Sequence, residues 1–268
     1  MNKNGKIYNY LRCTKHKVEY EADRLYRRFN KKSNKFKSLE IYKNIHSGER
    51  CWIIGTGPSL TMEDLNKLKN EYTFVMNSFV KILNKIDFAP SYYGIQDGDV
   101  FERLESEIAN SSLETIFLAD SKDTNMKRLE KMPESIRKRS AVYPLNVSYH
   151  SYKMNFTLKY FAKFSDDITD VVYDGSTIAY SLLQIAVYMG FKEIYLIGTD
   201  CNYKTNGKNH FVEHGFVTAT NPDIVGWRMI QAYKVAKKYA DSHGVKIFNA
   251  TRGGMLEVFP RVNLDNAL

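Results

Sequence analysis

Residues 55–60 (GTGPSL) have the composition of a phosphate-binding turn, because they follow the apolar run 51–54 and lead into a helical pattern. Glycine has no Cβ, so the backbone here can approach a ligand closely. Pro58 suits the first turn of a helix, Ser59 or Thr61 can cap it, and a helix N-terminus attracts anions. The predicted nucleotide contacts are Gly55, Thr56, Gly57, Pro58 and Ser59. The simpler interpretation is an ordinary strand-to-helix turn, and Leu60 excludes the standard dinucleotide loop, which has glycine there.

Three further strand-like runs each end in polar residues. They span residues 72–76, 91–95 and 114–119. Ligands of parallel α/β sheets bind beyond the carboxyl ends of the strands, so we predict Asn77 and Asp97 as nucleotide contacts and Gln96 as a substrate contact. Many such residues only cap helices. Asp97 and Asp99 have the spacing of a metal-binding pair, but a capped turn is simpler, and we predict no metal site.

A second polar turn, residues 174–177 (DGST), precedes the apolar helical run 178–189, which Gly190 closes. The strand-like run 194–197 follows and ends in Gly198-Thr-Asp200. These turns offer another helix N-terminus and another strand end to the same ligand. The nucleotide contacts predicted here are Gly175, Ser176, Thr177, Gly198, Thr199 and Asp200.

Strand-like runs alternate with helical stretches along the body, which predicts an α/β fold: a Rossmann-like, doubly wound, mostly parallel sheet. A last helix is expected over residues 222–243 and a last strand over 245–248. The polar turn after that strand carries Arg252, a predicted substrate contact. We assign residues 45–268 to one catalytic domain. Its aromatic-rich segment 133–173 is either a small lid on the acceptor side or a core packed under a long loop.

The positive charge is concentrated near the N-terminus. Residues 1–38 hold 12 Lys and Arg against 3 Asp and Glu, so the totals of 39 and 30 leave 27 of each for the remaining chain. A body without net charge argues against nucleic acid as a partner, because nucleic acid requires a basic face. Three cysteines without a CxxC pair, no signal peptide and no membrane-length apolar run predict a reducing, cytoplasmic location.

The basic arm, residues 1–44, is predicted to form an amphipathic helix, because its apolar residues recur at helical spacing. These residues are Ile7, Leu11, Val18, Ala22, Leu25 and Phe29. Such a helix can lie on an anionic membrane surface, or pack on its own body or on a second subunit. The arm therefore predicts peripheral contact with the inner face of the plasma membrane or a homo-oligomer. Residues 30–38 are expected to be a polar linker.

Residues 55–60 together with residues 190–200 (GFKEIYLIGTD) resemble the bacterial CMP-sialic acid-dependent sialyltransferases of glycosyltransferase family 42. With residues 249–259 (NATRGGMLEVF), they are at least as similar to the group called domain of unknown function 115. That group has 6-hydroxymethylpterin diphosphokinase-like members and occurs in capsule and flagellin-glycosylation loci. The resemblance consists of separate segments within residues 45–262. It implies a GT-A-variant-like form of the predicted fold.

The resemblance also implies roles for residues. In the sialyltransferases the glycine loop cradles the nucleotide phosphate and ribose, which here falls on Thr56, Gly57 and Ser59. A polar residue after the second strand, here Asn77, contacts the nucleotide sugar. The segment before the apolar helix contacts the nucleotide, although this chain has Gly-Ser-Thr at residues 175–177 where that family has Thr-Ser-Gly.

A histidine beyond the Gly-x-Asp strand is the general base of that family, and its neutral imidazole suits the task. This chain offers two, His210 and His214. Asn209-His-Phe resembles the broader group and favours His210, whereas His214 fits the sialyltransferase spacing better. Asn209 is a predicted substrate contact, and Tyr203 is the counterpart we assign to the family's tyrosines that assist phosphate departure.

These observations favour an inverting, metal-independent glycosyltransferase that moves a CMP-activated sugar onto a surface glycan or lipid-linked glycan and requires no cofactor. Sialic acid, another nonulosonic acid and Kdo all remain open as the sugar. One alternative is a pyrophosphokinase that uses ATP, with Mg²⁺ held by Asp97, Asp99 and Asp200. Another is a non-catalytic module that binds nucleotide sugar or glycan.

Overall fold

The computed structural model describes residues 6–30, 34–148, 162–202, 210–212 and 222–268. One parallel sheet of eight strands organises this part of the chain, in the order β6-β5-β4-β3-β2-β1-β7-β8. The strands are β1 Arg50–Ile54, β2 Tyr72–Met76, β3 Tyr92–Ile95, β4 Ile116–Asp120, β5 Ser140–Asn146, β6 Val172–Tyr173, β7 Glu193–Ile197 and β8 Lys246–Asn249.

Helices connect and cover the strands. The α-helices are α1 Lys6–Phe29, α2 Met62–Lys67, α3 Gly98–Ala109, α4 Glu134–Arg137, α5 Ile178–Tyr188, α6 Pro222–His243 and α7 Leu264–Ala267. Within the described residues, three 3₁₀ helices span Lys37–Tyr42, Asn77–Lys85 and Leu129–Lys131. None of the helices in the described ranges is both long enough and apolar enough to cross a membrane.

The core lies on both faces of the sheet, because successive strand residues point to opposite sides. In β1, Cys51 and Ile53 pack with α5 and α6 on one face, whereas Trp52 and Ile54 pack with α2 and α3 on the other. Ten of the eleven residues of α5 are buried. Strands that are buried on both faces have near-continuous apolar sequences, as β1 and β7 do. The predicted Rossmann-like, doubly wound fold is confirmed.

The chain order of the strands creates one switch point. From β1 the chain builds strand after strand toward β6, and it then returns to the other side of β1 for β7 and β8. Strands β1 and β7 pair in parallel from Arg50 with Glu193 to Ile54 with Ile197. The loops that leave these two strands therefore diverge from a shared edge, which is where open α/β sheets bind ligands.

One segment differs from its predicted form, and a second is only partly described. In residues 30–38 the linker prediction is wrong at its C-terminal end, because Phe36 is buried and the 3₁₀ helix Lys37–Tyr42 begins at the next residue. In residues 133–173, β5 and β6 extend the sheet, and Tyr143 lies fully buried in it. Residues 149–161 lie outside the described residues, so the lid remains a prediction.

Candidate functional site

The loops after β1 and β7 interlock at the switch point. The Gly55 N–H donates to the carbonyl of Ile197 at 2.8 Å, and the Gly57 N–H donates to the carbonyl of Gly198 at 2.8 Å. Gly198 has φ +65°, and a Cβ on it would lie 2.7 Å from the Gly55 oxygen. A Cβ on Gly57 would collide with the Asp200 carboxylate and lie 2.5 Å from the Gly198 oxygen. Glycine is required in both loops because their backbones touch.

The helix after this turn begins later than its sequence suggests. Helix α2 starts at Met62, so the prediction that Pro58 lies in its first turn is wrong. Thr61 caps the helix, as one of the two predicted caps: its Oγ1 accepts from the Asp64 N–H at 3.2 Å, and its own N–H donates to Asp64 Oδ2 at 2.9 Å. These reciprocal bonds satisfy two N–H groups of the helix N-terminus within the chain, and the expected anion site at that N-terminus stays a prediction.

Arg252 holds the outer side of the turn. Its guanidinium bridges both carboxylate oxygens of Asp64, with Nη1 2.7 Å from Oδ1, and it donates to the Ser59 carbonyl at 3.3 Å. Burial of the Asp64 carboxyl opposes ionisation, but hydrogen bonds from Arg252 and Thr61 outweigh it and lower the pKa of Asp64. The structure thus places Arg252 against α2, where it braces the glycine turn.

Asp200 supplies a carboxylate at the centre of the switch point. It is half-buried, and its Oδ2 accepts from the Ser59 hydroxyl at 2.8 Å. Burial raises the pKa of Asp200, and across the described ranges no lysine or arginine forms an ion pair with it. A carboxylate in this state has free acceptor capacity for the hydroxyls of a ligand.

Of the other predicted contacts in this region, one has a structural partner and one is exposed. Thr199 is buried, and its N–H donates to Thr251 Oγ1 at 3.1 Å. Pro58 is exposed at the tip of the turn. Thr199 therefore ties β7 to the chain after β8, whereas Ser59 and Asp200 are the groups at this point that have acceptor or donor capacity toward a ligand.

His210 lies against the glycine turn. Its Nδ1 is 3.4 Å from Thr56 Oγ1, and the next residue, Phe211, donates its N–H to the Thr56 carbonyl at 2.6 Å. Val212 accepts a hydrogen bond at its carbonyl from the Ser78 hydroxyl at 2.8 Å, which fixes the segment above β2 as well. The structure therefore brings His210 to the predicted phosphate-binding turn. Tyr203, Asn209 and His214 lie outside the described residues.

A polar network occupies the carboxyl ends of β3 and β6. Asp174 is buried, and it accepts from Gln96 Nε2 at 3.1 Å and from the Ser176 N–H at 3.1 Å. Gln96 accepts in turn from the Ser181 hydroxyl at 2.8 Å. Ser176 has φ +63°, and its buried hydroxyl has no hydrogen-bond partner within the described part of the chain. A strained residue with an unpaired buried hydroxyl at a strand end is a candidate ligand contact.

The remaining predicted contacts cap helices or pack within their own turns. Asp97 caps α3 by accepting from the N–H groups of Asp99 at 2.9 Å and Val100 at 3.1 Å, and Thr177 caps α5 by accepting from the Ala179 N–H at 3.3 Å. Asn77 adopts φ +49° at the start of its 3₁₀ helix, and its carbonyl accepts from the Tyr93 hydroxyl. Gly175 lies against the ring of Tyr180, which leaves no space for a Cβ.

The carboxylates named for a Mg²⁺ site do not form a cluster. No group of three His, Cys, Asp or Glu side chains among residues whose positions are described could hold a metal ion. Asp97 is engaged as a helix cap and Asp200 by Ser59.

A cavity of 250 Å³ that the sequence did not reveal lies between α1 and the carboxyl ends of β4 and β5. Its charged lining consists of Arg24, Arg27, Lys35, Lys122, Asp23 and Asp120. Neighbouring strands are about 4.8 Å apart, so this cavity lies roughly 15–20 Å along the sheet edge from the glycine turn. No signal in the sequence indicated it, because the cavity depends on β5 and on how α1 docks.

Arg27 is the least compensated cation of this cavity. Its Nη2 donates to the Asp170 carbonyl at 2.9 Å, but its buried Nε has no hydrogen-bond partner in the ranges described. Burial lowers the pKa of Arg27. A half-buried guanidinium whose Nε–H has no partner among the described residues favours an anionic ligand.

A parallel, doubly wound sheet whose glycine turn lies at the switch point defines a protein of the Rossmann-like α/β class. The sequence profile of the MptE-like family, described as 6-hydroxymethylpterin diphosphokinase MptE-like, matches residues 24–206. The match covers more than half of the chain, and the protein belongs to this family.

Two solved structures have a similar arrangement. A MAf glycosyltransferase from Magnetospirillum magneticum AMB-1 matches 83% of this chain at 15% identity and a TM-score of 0.49, and the chain spans about a third (35%) of that protein's length. The sialyltransferase CST-II, in a variant crystallised with CMP, matches 78% of this chain and 84% of its own at 14% identity and a TM-score of 0.42. No curated protein sequence matches the chain.

Proposed function

We propose that the protein is an inverting glycosyltransferase that uses a CMP-activated sugar of the sialic acid, nonulosonic acid or Kdo type. Its product would be a modified bacterial surface glycan, such as capsule, lipopolysaccharide or flagellin glycan. One observation carries the proposal: His210 lies on the glycine turn at the switch point, with Nδ1 3.4 Å from Thr56 Oγ1. A candidate base therefore stands beside the place where the fold binds a ligand.

The proposed reaction is a single displacement. The acceptor hydroxyl oxygen bonds to the anomeric carbon, the bond from that carbon to the phosphate oxygen breaks, and CMP leaves with the electron pair. A hydrogen bond from the Nδ1–H of His210 to Thr56 would place the imidazole lone pair on Nε2, the atom that would then take the hydroxyl proton. Thr56 is then a positioning residue that selects the tautomer.

The phosphate charge that grows on the leaving CMP requires hydrogen-bond donors. Ser59 can turn its hydroxyl from Asp200 toward the phosphate. The Ser176 hydroxyl, which has no partner among the described residues, is available farther along the sheet edge, in the network that includes Gln96 after β3. Asp200 can then accept from ribose hydroxyls. A nucleoside monophosphate carries less charge than a diphosphate, so this proposal needs neither metal nor cofactor.

The acceptor side is proposed at the 250 Å³ cavity. It is smaller than pockets for drug-sized ligands, which start at about 300 Å³, so it suits a small anionic part of a glycan or lipid-linked glycan rather than a second nucleotide. We also propose a cytoplasmic location. The arm supports either a peripheral position on the inner face of the plasma membrane or a homo-oligomer through residues 1–44.

Arg27→Met tests the acceptor proposal. We expect a sugar phosphate probe to bind roughly 10- to 100-fold more weakly, because hydrogen bonds to charged groups contribute about 1.5–3 kcal/mol. The unfolding temperature should not fall, because the guanidinium that is lost is half-buried and poorly compensated. Calorimetric titration and thermal unfolding measure the two effects.

The matched control is Arg28→Met. Arg28 also binds Asp170, at 2.8 Å, but it is more exposed and does not line the cavity. Equal loss of sugar phosphate binding in both variants would reject the cavity as the acceptor site.

The family description favours one second function, transfer of diphosphate from ATP to a pterin-like alcohol. Thermal unfolding with CMP, CDP, UDP, GDP and ATP, each with and without Mg²⁺, separates the two proposals. A ligand at about 100 times its dissociation constant adds roughly 2.7 kcal/mol. We expect this stabilisation from CMP, unchanged by Mg²⁺.

Each other outcome of the panel has a meaning. Stabilisation by ATP alone, and only with Mg²⁺, would replace the transferase by the diphosphokinase. No response to any nucleotide would leave a non-catalytic module and would contradict both enzymes.

A further inference from the structure

Helix α1 docks on the body through its polar face. Tyr20 Oη lies 2.7 Å from Ser121 Oγ, and Arg24 Nε donates to Asp170 Oδ2 at 2.7 Å. Arg27 adds the bond to the Asp170 carbonyl. These residues are three or four positions apart, so they share one side of the helix.

The apolar face of the same helix points away from the body. Leu11, Val18, Leu25 and Phe29 are 53%, 62%, 50% and 84% exposed. Of the α1 side chains that the structure describes, only Tyr20 packs against the hydrophobic core. This is the reverse of a surface helix, which turns its apolar stripe toward the core.

The outward stripe follows a heptad repeat. Its members are spaced alternately by three and four residues: Tyr8, Leu11, Lys15, Val18, Ala22, Leu25 and Phe29. If Tyr8 occupies heptad position a, then position d is occupied by Leu11, Val18 and Leu25. Position f, on the side of the helix opposite the a and d positions, is occupied by Tyr20 and Arg27. A sustained heptad matches the seam that one helix presents to another helix.

The flanks of the stripe distinguish a helix from a membrane as its partner. Its e and g positions carry Glu19 and Glu21 together with Arg12 and Arg28, so both signs of charge border the stripe, whereas helices that lie on membranes have a wide apolar face with a basic border. Lys15 occupies one a position, and a single polar residue there fixes register and oligomeric state in coiled coils at a cost in stability. Both features fit a paired helix.

We infer that α1 pairs with α1 of a second copy of this chain through the seam formed by Leu11, Lys15, Val18, Ala22, Leu25 and Phe29. The docking face and the seam lie on opposite sides of the helix, so the two bodies stand on opposite sides of the pair without competing for α1. Each copy keeps its own glycine turn and its own cavity. This pairing is independent of the proposed enzymatic function.

Sedimentation equilibrium of the full chain tests the inference. The wild type should be a dimer, and the double variant Val18→Glu, Leu25→Glu should be a monomer with unchanged helix content by circular dichroism, because its contacts to the body are intact. Lys15→Leu should tighten the dimer, because it removes a charge from the seam. Ile41→Glu is the control, since Ile41 is an equally exposed apolar residue (70%) outside α1.

A monomeric wild type would overturn the pairing, and so would a dimer that persists in the double variant. Co-sedimentation with vesicles of phosphatidylcholine and phosphatidylserine tests the alternative that the stripe binds a membrane. Vesicle binding by a monomeric wild type, lost in the double variant, would assign the stripe to a lipid surface and reject the dimer.

Discussion

His210→Ala is expected to lower the turnover of a CMP-activated sugar by about 10²- to 10⁴-fold, the usual contribution of general base catalysis. CMP should still bind, because His210 contacts the turn through the Thr56 hydroxyl, while the backbone of the turn is held by Ile197 and Gly198. Steady-state kinetics would show the loss in kcat, and calorimetric titration with CMP would show the retained affinity.

The matched variants are His214→Ala and Thr56→Val. A loss confined to His214→Ala would move the base to His214 and contradict the assignment of His210. Thr56→Val removes the hydroxyl next to Nδ1 but keeps the shape of the side chain, so it should lower kcat less than His210→Ala does. If His210→Ala weakened CMP binding and left kcat unchanged, His210 would be a binding residue and no base.

The sheet was predictable to within one or two residues where strands are buried on both faces. The apolar runs at residues 51–54 and 194–197 correspond to β1 and β7, and the run at residues 72–76 is β2. Such strands have to be apolar along their whole length, because helices cover both sides of the sheet. Their sequence is therefore distinctive without any knowledge of tertiary contacts.

Strand β5 was not predicted from the sequence, and the reason is physical. It contains Pro144, a residue that central strands avoid because it cannot donate to the ladder. Pro144 pairs with Asp120 at the last position of β4, at the carboxyl edge of the sheet. Strand β6 has two residues, too few to show any period.

The positions of the candidate site residues could be predicted from the sequence, but the role of each residue could not. Polar residues follow every strand, and Asp97 and Thr177 proved to be helix caps, whereas Asp200 and Ser176 keep free hydrogen-bonding capacity. A cap and a ligand contact use the same residue types at the same turns. Only the partners in the folded chain separate them.

The inverted docking of α1 illustrates the same limit at the level of a helix. Periodicity predicted an amphipathic helix over most of Lys6–Phe29, but it could not say which face meets the body. That choice depends on Asp170 and Ser121, more than 100 residues away in the chain, which receive Arg24 and Tyr20.

Gly57→Ala is expected to lower the free energy of unfolding by about 1–3 kcal/mol, the usual cost of forcing a methyl group into packed space. The added Cβ would collide with the Asp200 carboxylate, which can rotate away, and with the backbone oxygen of Gly198, which cannot. The loops after β1 and β7 must then separate. We expect nucleotide binding to be lost as well, because the separation displaces Ser59, Asp200 and the Thr56 contact to His210.

Thermal unfolding and titration with CMP measure the two consequences, and Gly244→Ala separates them. Gly244 has φ +65° with nothing within 4 Å of its Cβ position, so alanine there costs backbone strain without a collision and lies away from the switch point. Gly244→Ala should therefore lose stability and keep CMP affinity, whereas Gly57→Ala loses both. Unchanged CMP affinity in a folded Gly57→Ala protein would show that the contact between the two loops does not shape the ligand site, because the methyl group can be accommodated only if those loops move.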